Sequence, residues 1–373
     1  MSDLRAPFPW FGGKRKAAEM VWERLGDVAN YVEPFFGSGA MLLERPEEHH
    51  WPRTETVNDY DGHLANFWRA LQADPDGVAR YADWPVSELD SHARGDWLFY
   101  RPDAREWVER LRSDPDFYDV KSAGWWVWFV CGWIGSLPSV NESQLKRIPG
   151  GAVRRKRPHL SSAGMGIHRT GAVRRQLPLL GDAGVGIHRT GAVWRKRPHL
   201  SSAGMGIHRT GAVRRGEHLR EYFGVLAARL ERVRVCCGDW ARVTGRSVTT
   251  TQGLTGVFLD PPYSHAVRDG GLYSEESGSV AEDVRTWAIA NGDNPLFRIA
   301  ICGYENEHGD AMPDSWSVYR WKAAGGYGSQ GNGRGRANAG RECVWFSPAC
   351  INPLESLPLF RTNGNGVTDH END

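Results

Sequence analysis

The sequence predicts an open α/β sheet with helices on both faces, interrupted by a basic insertion. Three observations carry this expectation. Short apolar runs that end in acids or glycines alternate with stretches of helical period, the pattern of strands and connecting helices. Two early turns, at residues 12–13 and 37–39, are glycine-rich and lead directly into helices. The middle of the chain carries a tandem repeat, with units 151–170, 171–190 and 191–210 each ending Gly-Ile-His-Arg-Thr and a fourth broken off at Arg215.

A chain of 373 residues can bury a sizeable core, and 40% hydrophobic residues with 17 Trp exclude global disorder. The net charge of +1 conceals an asymmetry: between Lys146 and Arg215 there are sixteen Lys or Arg and one acid, Asp182, which leaves 30 basic and 44 acidic residues elsewhere. A basic middle is therefore set in an acidic frame. The six cysteines form no CxxC pair and no zinc spacing, so reduced thiols in a cytosol, no disulfide and no structural metal are expected. The first residues contain no apolar leader, and the Trp-rich run 124–135 is too short to span a bilayer, so the expectation is a soluble, cytoplasmic protein with no membrane partner.

The first landmark is Pro7-Phe8-Pro9-Trp10-Phe11-Gly12-Gly13-Lys14, followed by an amphipathic helix over 17–25. Paired glycines let backbone approach a ligand, and Lys14 offers a positive charge to a carboxylate or phosphate; a plain turn with a solvated lysine fits as well. Next, Tyr31-Val32-Glu33-Pro34-Phe35-Phe36-Gly37-Ser38-Gly39 reads as a strand and a glycine turn that opens a helix at 40–43. That is the layout of a nucleotide-type loop. With neither GxGxxG nor a Walker lysine, it points to a small adenosine-type cofactor rather than a dinucleotide or triphosphate. Thr56-Val57-Asn58-Asp59 ends a second strand, and a helix runs over 61–71. Asp59 stands where an acid accepts ribose hydroxyls, whereas Asp59 or Asp61 could instead cap the helix.

Residues 72–145 give a weaker signal. The run Trp125-Trp126-Val127-Trp128-Phe129-Val130 predicts a buried helix or strand of a subsidiary domain, with a base-stacking platform as the alternative. Each repeat unit carries a basic tract or part of one and a single histidine, and each holds too few apolar residues to bury much alone. Phosphate contact by the arginines and a solvated arm are the two readings. Metal binding by His168, His188 and His208 lacks nearby second ligands.

Beyond His218, the period Leu219, Tyr222, Phe223, Leu226, Ala227, Leu230 predicts an amphipathic helix. A strand over 233–240 follows, ending in Asp239 and Trp240, and then come strands over 255–259, 298–303 and 342–346, a helix over 280–290 and a Gly/Asn/Arg-rich loop over 325–340. The strand at 255–259 runs into Asp260-Pro261-Pro262-Tyr263. The prolines fix φ and donate no N–H, so a carboxylate, backbone carbonyls and an aromatic face are clustered where a flat ring bearing an amino group could sit. A strand-ending turn explains the same four residues if they are taken alone.

Taken in order, Pro9 to Lys14, Glu33 to Gly39 and Asp260 to Tyr263 resemble the three motifs of the Dam-type, D12-class DNA adenine-N6 methyltransferases, over about residues 5–70 and 220–348. The resemblance implies a class I methyltransferase (Rossmann-like) fold with a mixed sheet, S-adenosylmethionine as cofactor and double-stranded DNA as partner. It implies that Phe35, Gly37 and Gly39, with Glu33 of the same loop, line the cofactor, that Asp59 holds its ribose, that Asp239 and Trp240 flank its adenine, and that Trp10 and Lys14 lie near its methionine end. Asp260, Pro261, Pro262 and Tyr263 would be catalytic. The expected division is a cofactor-binding half over 1–70, an inserted recognition region over 71–218 with the repeats at 151–215, a catalytic half over 219–350 and a disordered tail over 351–373. Cytosine-N4 methylation, RNA or protein methylation, and DNA binding without catalysis on a methyltransferase frame are the competing functions.

Overall fold

The computed structural model describes residues 4–8, 10, 14–47, 53–132, 212–262, 280–321 and 342–353. The strands are β1 (Asn30–Glu33), β2 (Thr54–Asp59), β3 (Val233–Cys237), β4 (Thr255–Leu259), β5 (Phe297–Tyr304), β6 (Ser317–Trp321) and β7 (Glu342–Phe346). They form one sheet in the order β3-β2-β1-β4-β5-β7-β6. The first five of that order are mutually parallel, and β7 runs antiparallel to both β5 and β6. The expected mixed α/β sheet is therefore present. The order reverses beside β1, whose neighbours are β2 and β4, and such a switch point opens a crevice at the carboxyl ends of the strands.

The central strands are apolar at consecutive positions because both faces are covered. On one face Tyr31, Phe258, Ala300, Cys302, Val344 and Phe346 pack with α1 (Arg15–Leu25), α3 (Gly62–Ala73) and the helix α8 (Ala212–Leu230). On the other, Val32, Val257, Leu259, Ile299, Ile301 and Trp345 pack with α9 (Val280–Gly292). Each fully buried Leu, Ile or Phe of this kind contributes about 1.5–3 kcal/mol relative to exposure, and the period of two fixes which face each side chain serves.

Helices α1 and α8 follow their predicted periods. Leu219, Phe223, Leu226 and Leu230 form one buried stripe, and Ala17, Ala18, Val21, Trp22 and Leu25 another. The short helix α2 (Ala40–Leu43) begins at Gly39, which adopts φ +66°. Asp61 caps α3, accepting the N–H groups of His63 (2.8 Å) and Leu64 (3.2 Å). Capping thus falls to Asp61, leaving Asp59 for another use.

Between α3 and α8 lie α4 (Pro75–Ala82), α5 (Glu88–Tyr100), α6 (Ala104–Ser113) and α7 (Val120–Gly132). The Trp-rich run is α7, and it is buried nearly all round, as an almost continuously apolar helix must be. Its residues pack against α3 and α4 in the same cluster as α1 and the sheet, so a separate subsidiary core is not what forms. Trp126 and Trp128 are core residues, which removes them as a stacking platform. At the rim, Trp125 meets Trp97 edge-on with the Lys121 ammonium over both rings.

The sequence reading did not anticipate β6 or the short helix α10 (Glu305–His308). The start of the expected disordered tail is docked: Ile351 donates its N–H to the Arg24 carbonyl at 2.8 Å, and its side chain lies against Gly26. The repeat units 151–210, the glycine-rich loop 325–340 and residues 354–373 lie outside the described residues, whereas 212–215 begin α8. All six cysteines are free thiols, and no helix among the described residues is long and apolar enough to cross a membrane.

Candidate active site

Parallel strands deliver their carboxyl ends to one edge, and the polar residues that punctuate the apolar runs collect there: Glu33 from β1, Asp59 from β2, Asp239 just past β3 and Asp260 just past β4. Strand β7 runs the other way, so its first residue, Glu342, reaches the same edge and pairs in register with Tyr304. Helix α1 lies antiparallel to the strands. Its far end at Leu25 accepts a hydrogen bond from Arg298 at the start of β5 (2.6 Å), and its near end presents Lys14.

Lys14 is only 4% exposed, and its Nζ lies 3.1 Å from Asp260 Oδ2, whose side chain is 21% exposed. A solvated lysine at a Gly-Gly turn is thereby excluded. The partner of this charge is a carboxylate of the protein itself, contributed from about 250 residues away in sequence. Pro261 is buried and Pro262 half-buried behind Asp260, while Tyr263 lies outside the described residues.

The loop after β1 is held by its neighbours. Phe36 N–H donates to the Asn58 carbonyl at 2.9 Å, Gly37 N–H to Asp59 Oδ2 at 2.9 Å, and the Trp68 indole N–H to the Gly37 carbonyl at 3.1 Å. Gly37 has φ +51°, and a Cβ there would stand 2.9 Å from the Trp10 indole nitrogen. The loop and the Trp10 indole therefore meet at bare backbone, which is what a glycine at this point provides.

Asp59 accepts the N–H groups of Gly37 and Asp61, each at 2.9 Å. Burial pushes its carboxyl up to about 7; the two N–H donors oppose the shift and the Asp61 charge adds to it. Glu33 is raised well above the ordinary carboxylate range, chiefly by burial. The Tyr31 hydroxyl, which donates to Glu33 Oε2 at 3.0 Å, opposes this, and Asp260 and Asp59 reinforce it. Glu342 is also raised by burial, with Lys14 opposing and Asp260 reinforcing. Phe35 and Trp240 face one another with centroids 6.5 Å apart and planes inclined by 28°, and Trp240 is backed edge-on by Trp287. Asp239 is exposed and accepts the Ala241 N–H at 2.8 Å, fixing the turn that carries Trp240.

The described site candidates thus lie along one edge, in two groups. Trp10, Lys14, Glu33, Gly37, Gly39, Asp59 and Asp260 surround the β1/β4 switch point, and Phe35, Asp239 and Trp240 lie on the side of β3 and α9. Sequence reasoning missed Asn58, whose amide donates to the Pro34 carbonyl (3.1 Å) and the Gly238 carbonyl (2.9 Å), joining the loops after β1 and β3 from a fully buried position. A polar amide next to the acid at a strand end was the available signal. It also missed Glu342, because an acid at the start of a strand reaches the site only if that strand is antiparallel.

No curated protein sequence matches the chain. Residues 10–124, which include Trp10, Lys14, the Glu33 to Gly39 loop and Asp59 but end before β3 and β4, match the family described as D12 class N6 adenine-specific DNA methyltransferase.

Proposed function

We propose that this protein transfers a methyl group from S-adenosylmethionine to the N6 amine of adenine in duplex DNA. The observation that carries this reading is the Lys14 to Asp260 pair, which joins a residue inside the family-matched segment to the Asp-Pro-Pro-Tyr motif that lies outside it. The fit to the cofactor rests on the side-chain-free backbone at Gly37, on the nearly parallel Phe35 and Trp240 rings and on Asp59 at the end of β2. Phe35, Gly37, Gly39 and Glu33 would hold it, Asp59 would accept from its ribose, Asp239 and Trp240 would bound its adenine, and Trp10 and Lys14 would stand at its methionine end. The bound cofactor supplies an electrophilic methyl group.

An exocyclic amine on adenine is a weak nucleophile because its lone pair is delocalised into the ring. The amine would donate one hydrogen bond to the Asp260 carboxylate and one to the Pro261 carbonyl, which turns the nitrogen toward tetrahedral geometry and directs the lone pair at the methyl group; the gain comes from positioning and electrostatics. Tyr263 stacks on a base turned out of the duplex. The sixteen basic residues between Lys146 and Arg215 support phosphate contact.

The test is incubation of duplex DNA with labelled S-adenosylmethionine, followed by nucleoside analysis, for the wild type and Asp260→Asn. The expected result is N6-methyladenine from the wild type, no product from the variant, and cofactor affinity largely retained in both. Label in N4-methylcytosine, or full activity in Asp260→Asn, overturns the assignment.

A further inference from the structure

Lys14 pairs with Asp260 at this edge and acts electrostatically on Glu342, and the sheet register shows how these groups are arranged. Leu259 pairs with Ile301 on the parallel neighbour, so the next residues, Asp260 and Cys302, are adjacent; Tyr304 pairs with Glu342 across the antiparallel step to β7. The alternation that sends Tyr31, Phe258, Ala300, Val344 and Phe346 to the α1 face carries Glu33, Asp260, Cys302, Tyr304 and Glu342 to that same face. Glu33 is level with Phe258, Asp260 with Cys302 and Glu342 with Tyr304, so the three carboxyl groups step diagonally across one face of β1, β4, β5 and β7, with Lys14 reaching Asp260 from the start of α1.

A buried ammonium is costly to leave without an anion. In the proposed reaction the adenine amine must take up Asp260 as its acceptor, and Lys14 stands on an oxygen of that carboxylate. While the ammonium stays there, it withdraws acceptor strength from the amine. If it moves, it needs a second anion within reach on the same face. Glu33 is engaged by the Tyr31 hydroxyl. Glu342 acts electrostatically on both Lys14 and Asp260, and the titratable groups on its face are Lys14 ahead of α1, Asp260 after β4, and Cys302 and Tyr304 on β5.

We propose that Glu342 is a positioning residue that provides a second seat for the Lys14 ammonium, so that Asp260 can turn to the target amine. The proposal rests on the methyltransferase reading. It requires that loss of the Glu342 charge slow turnover without weakening cofactor or DNA binding, and that a shorter acid at the same place restore part of the rate. Glu342 is held above the ordinary carboxylate range, so the seat is lost as pH falls through that raised value. The acid limb of the wild-type profile belongs in part to Glu342.

The experiment compares the wild type, Glu342→Gln and Glu342→Asp in kcat, in KM for S-adenosylmethionine and in the pH profile. The expected result for Glu342→Gln is a kcat lower by on the order of 10- to 100-fold with KM unchanged and an acid limb moved to lower pH. Partial recovery is expected in Glu342→Asp. A Glu342→Gln enzyme with wild-type kcat and pH profile overturns the proposal, as does a loss confined to KM. A double-mutant cycle of Lys14→Met and Glu342→Gln on denaturant unfolding, run in an Asp260→Asn background where the first seat is removed, reads the pairing without turnover. Zero coupling overturns the second seat whatever the activity. Intact coupling together with a wild type that methylates no DNA instead overturns the methyltransferase reading and leaves the seat standing.

Discussion

Gly37 combines two constraints that a residue bearing a side chain does not meet. Its φ of +51° lies in the left-handed region, which costs an L-residue about 1–2 kcal/mol, and its missing Cβ leaves room for the Trp10 indole. Gly37→Ala therefore strains the backbone and displaces either the loop or the indole. The expected outcome is a stability loss of about 1–2 kcal/mol by denaturant unfolding, together with a large loss of cofactor affinity by calorimetry. Unchanged affinity would remove this loop from the binding site. Asp59 acts on the same loop. Its carboxylate accepts the Gly37 N–H, so the acid proposed to accept from ribose is also the one that sets the loop's position.

Three strand ends are tied together by one side chain. The Asn58 amide spans from the Pro34 carbonyl after β1 to the Gly238 carbonyl after β3, and the main chain adds Gly238 N–H to the Asp59 carbonyl at 3.0 Å. Removing a buried donor leaves two carbonyls without that partner and costs about 1–3 kcal/mol. Asn58→Ala should show that loss in chemical unfolding, and its cofactor affinity should fall in parallel, because Phe35 and Trp240 sit on the two loops that Asn58 joins. Wild-type affinity in a destabilised Asn58→Ala would mean that the loops hold their spacing without it. At the same scale, Arg229 of α8 clamps both oxygens of Glu55 on β2 at 2.8 Å and also donates to the Leu42 carbonyl at 3.0 Å. This fixes the helix that returns from the insertion against the sheet.

Across the whole molecule, titration in the core sets a measurable pH dependence. Burial lowers His63 to about 3 and His308 to about 4; the Arg101 and Arg285 charges, respectively, add to the effect. Their folded values lie below the ordinary 6.5, so the unfolded chain binds the extra protons and this contribution to stability is lost as pH falls from about 6.5 toward 4. Asp59 has the opposite sign. Its value of about 7 lies above 3.8, so its contribution is present at low pH and lost as pH rises toward 7. Relative to wild type, His63→Phe, which places a ring between Phe99 and Trp107, should gain stability as pH is lowered from about 6.5 to 4. Asp59→Asn should gain as pH is raised from about 4 to 7. Unfolding curves at several pH values check both, and a difference independent of pH in either variant would contradict the corresponding assignment.

Most strands were legible in the sequence, because a strand buried on both faces is an unbroken apolar run and β4 and β7 are such runs. So were α1 and α8, whose apolar residues recur at the helical period. The amphipathic signal fails for α7, which is apolar nearly all round, and β6 is a short strand at the edge of the sheet with Ser317, Tyr319 and Arg320 exposed. Local chemistry alone determined that glycines would follow β1, that acids would end β2 and β4, and that Asp260 would precede two prolines. Only the tertiary structure decided that Lys14 belongs to Asp260, that Asn58 joins two loops and that Glu342 faces the same edge. Those relations depend on strand order and on the antiparallel sense of β7. Both are set by which long-range pairings close the sheet, and local sequence periodicity does not encode them.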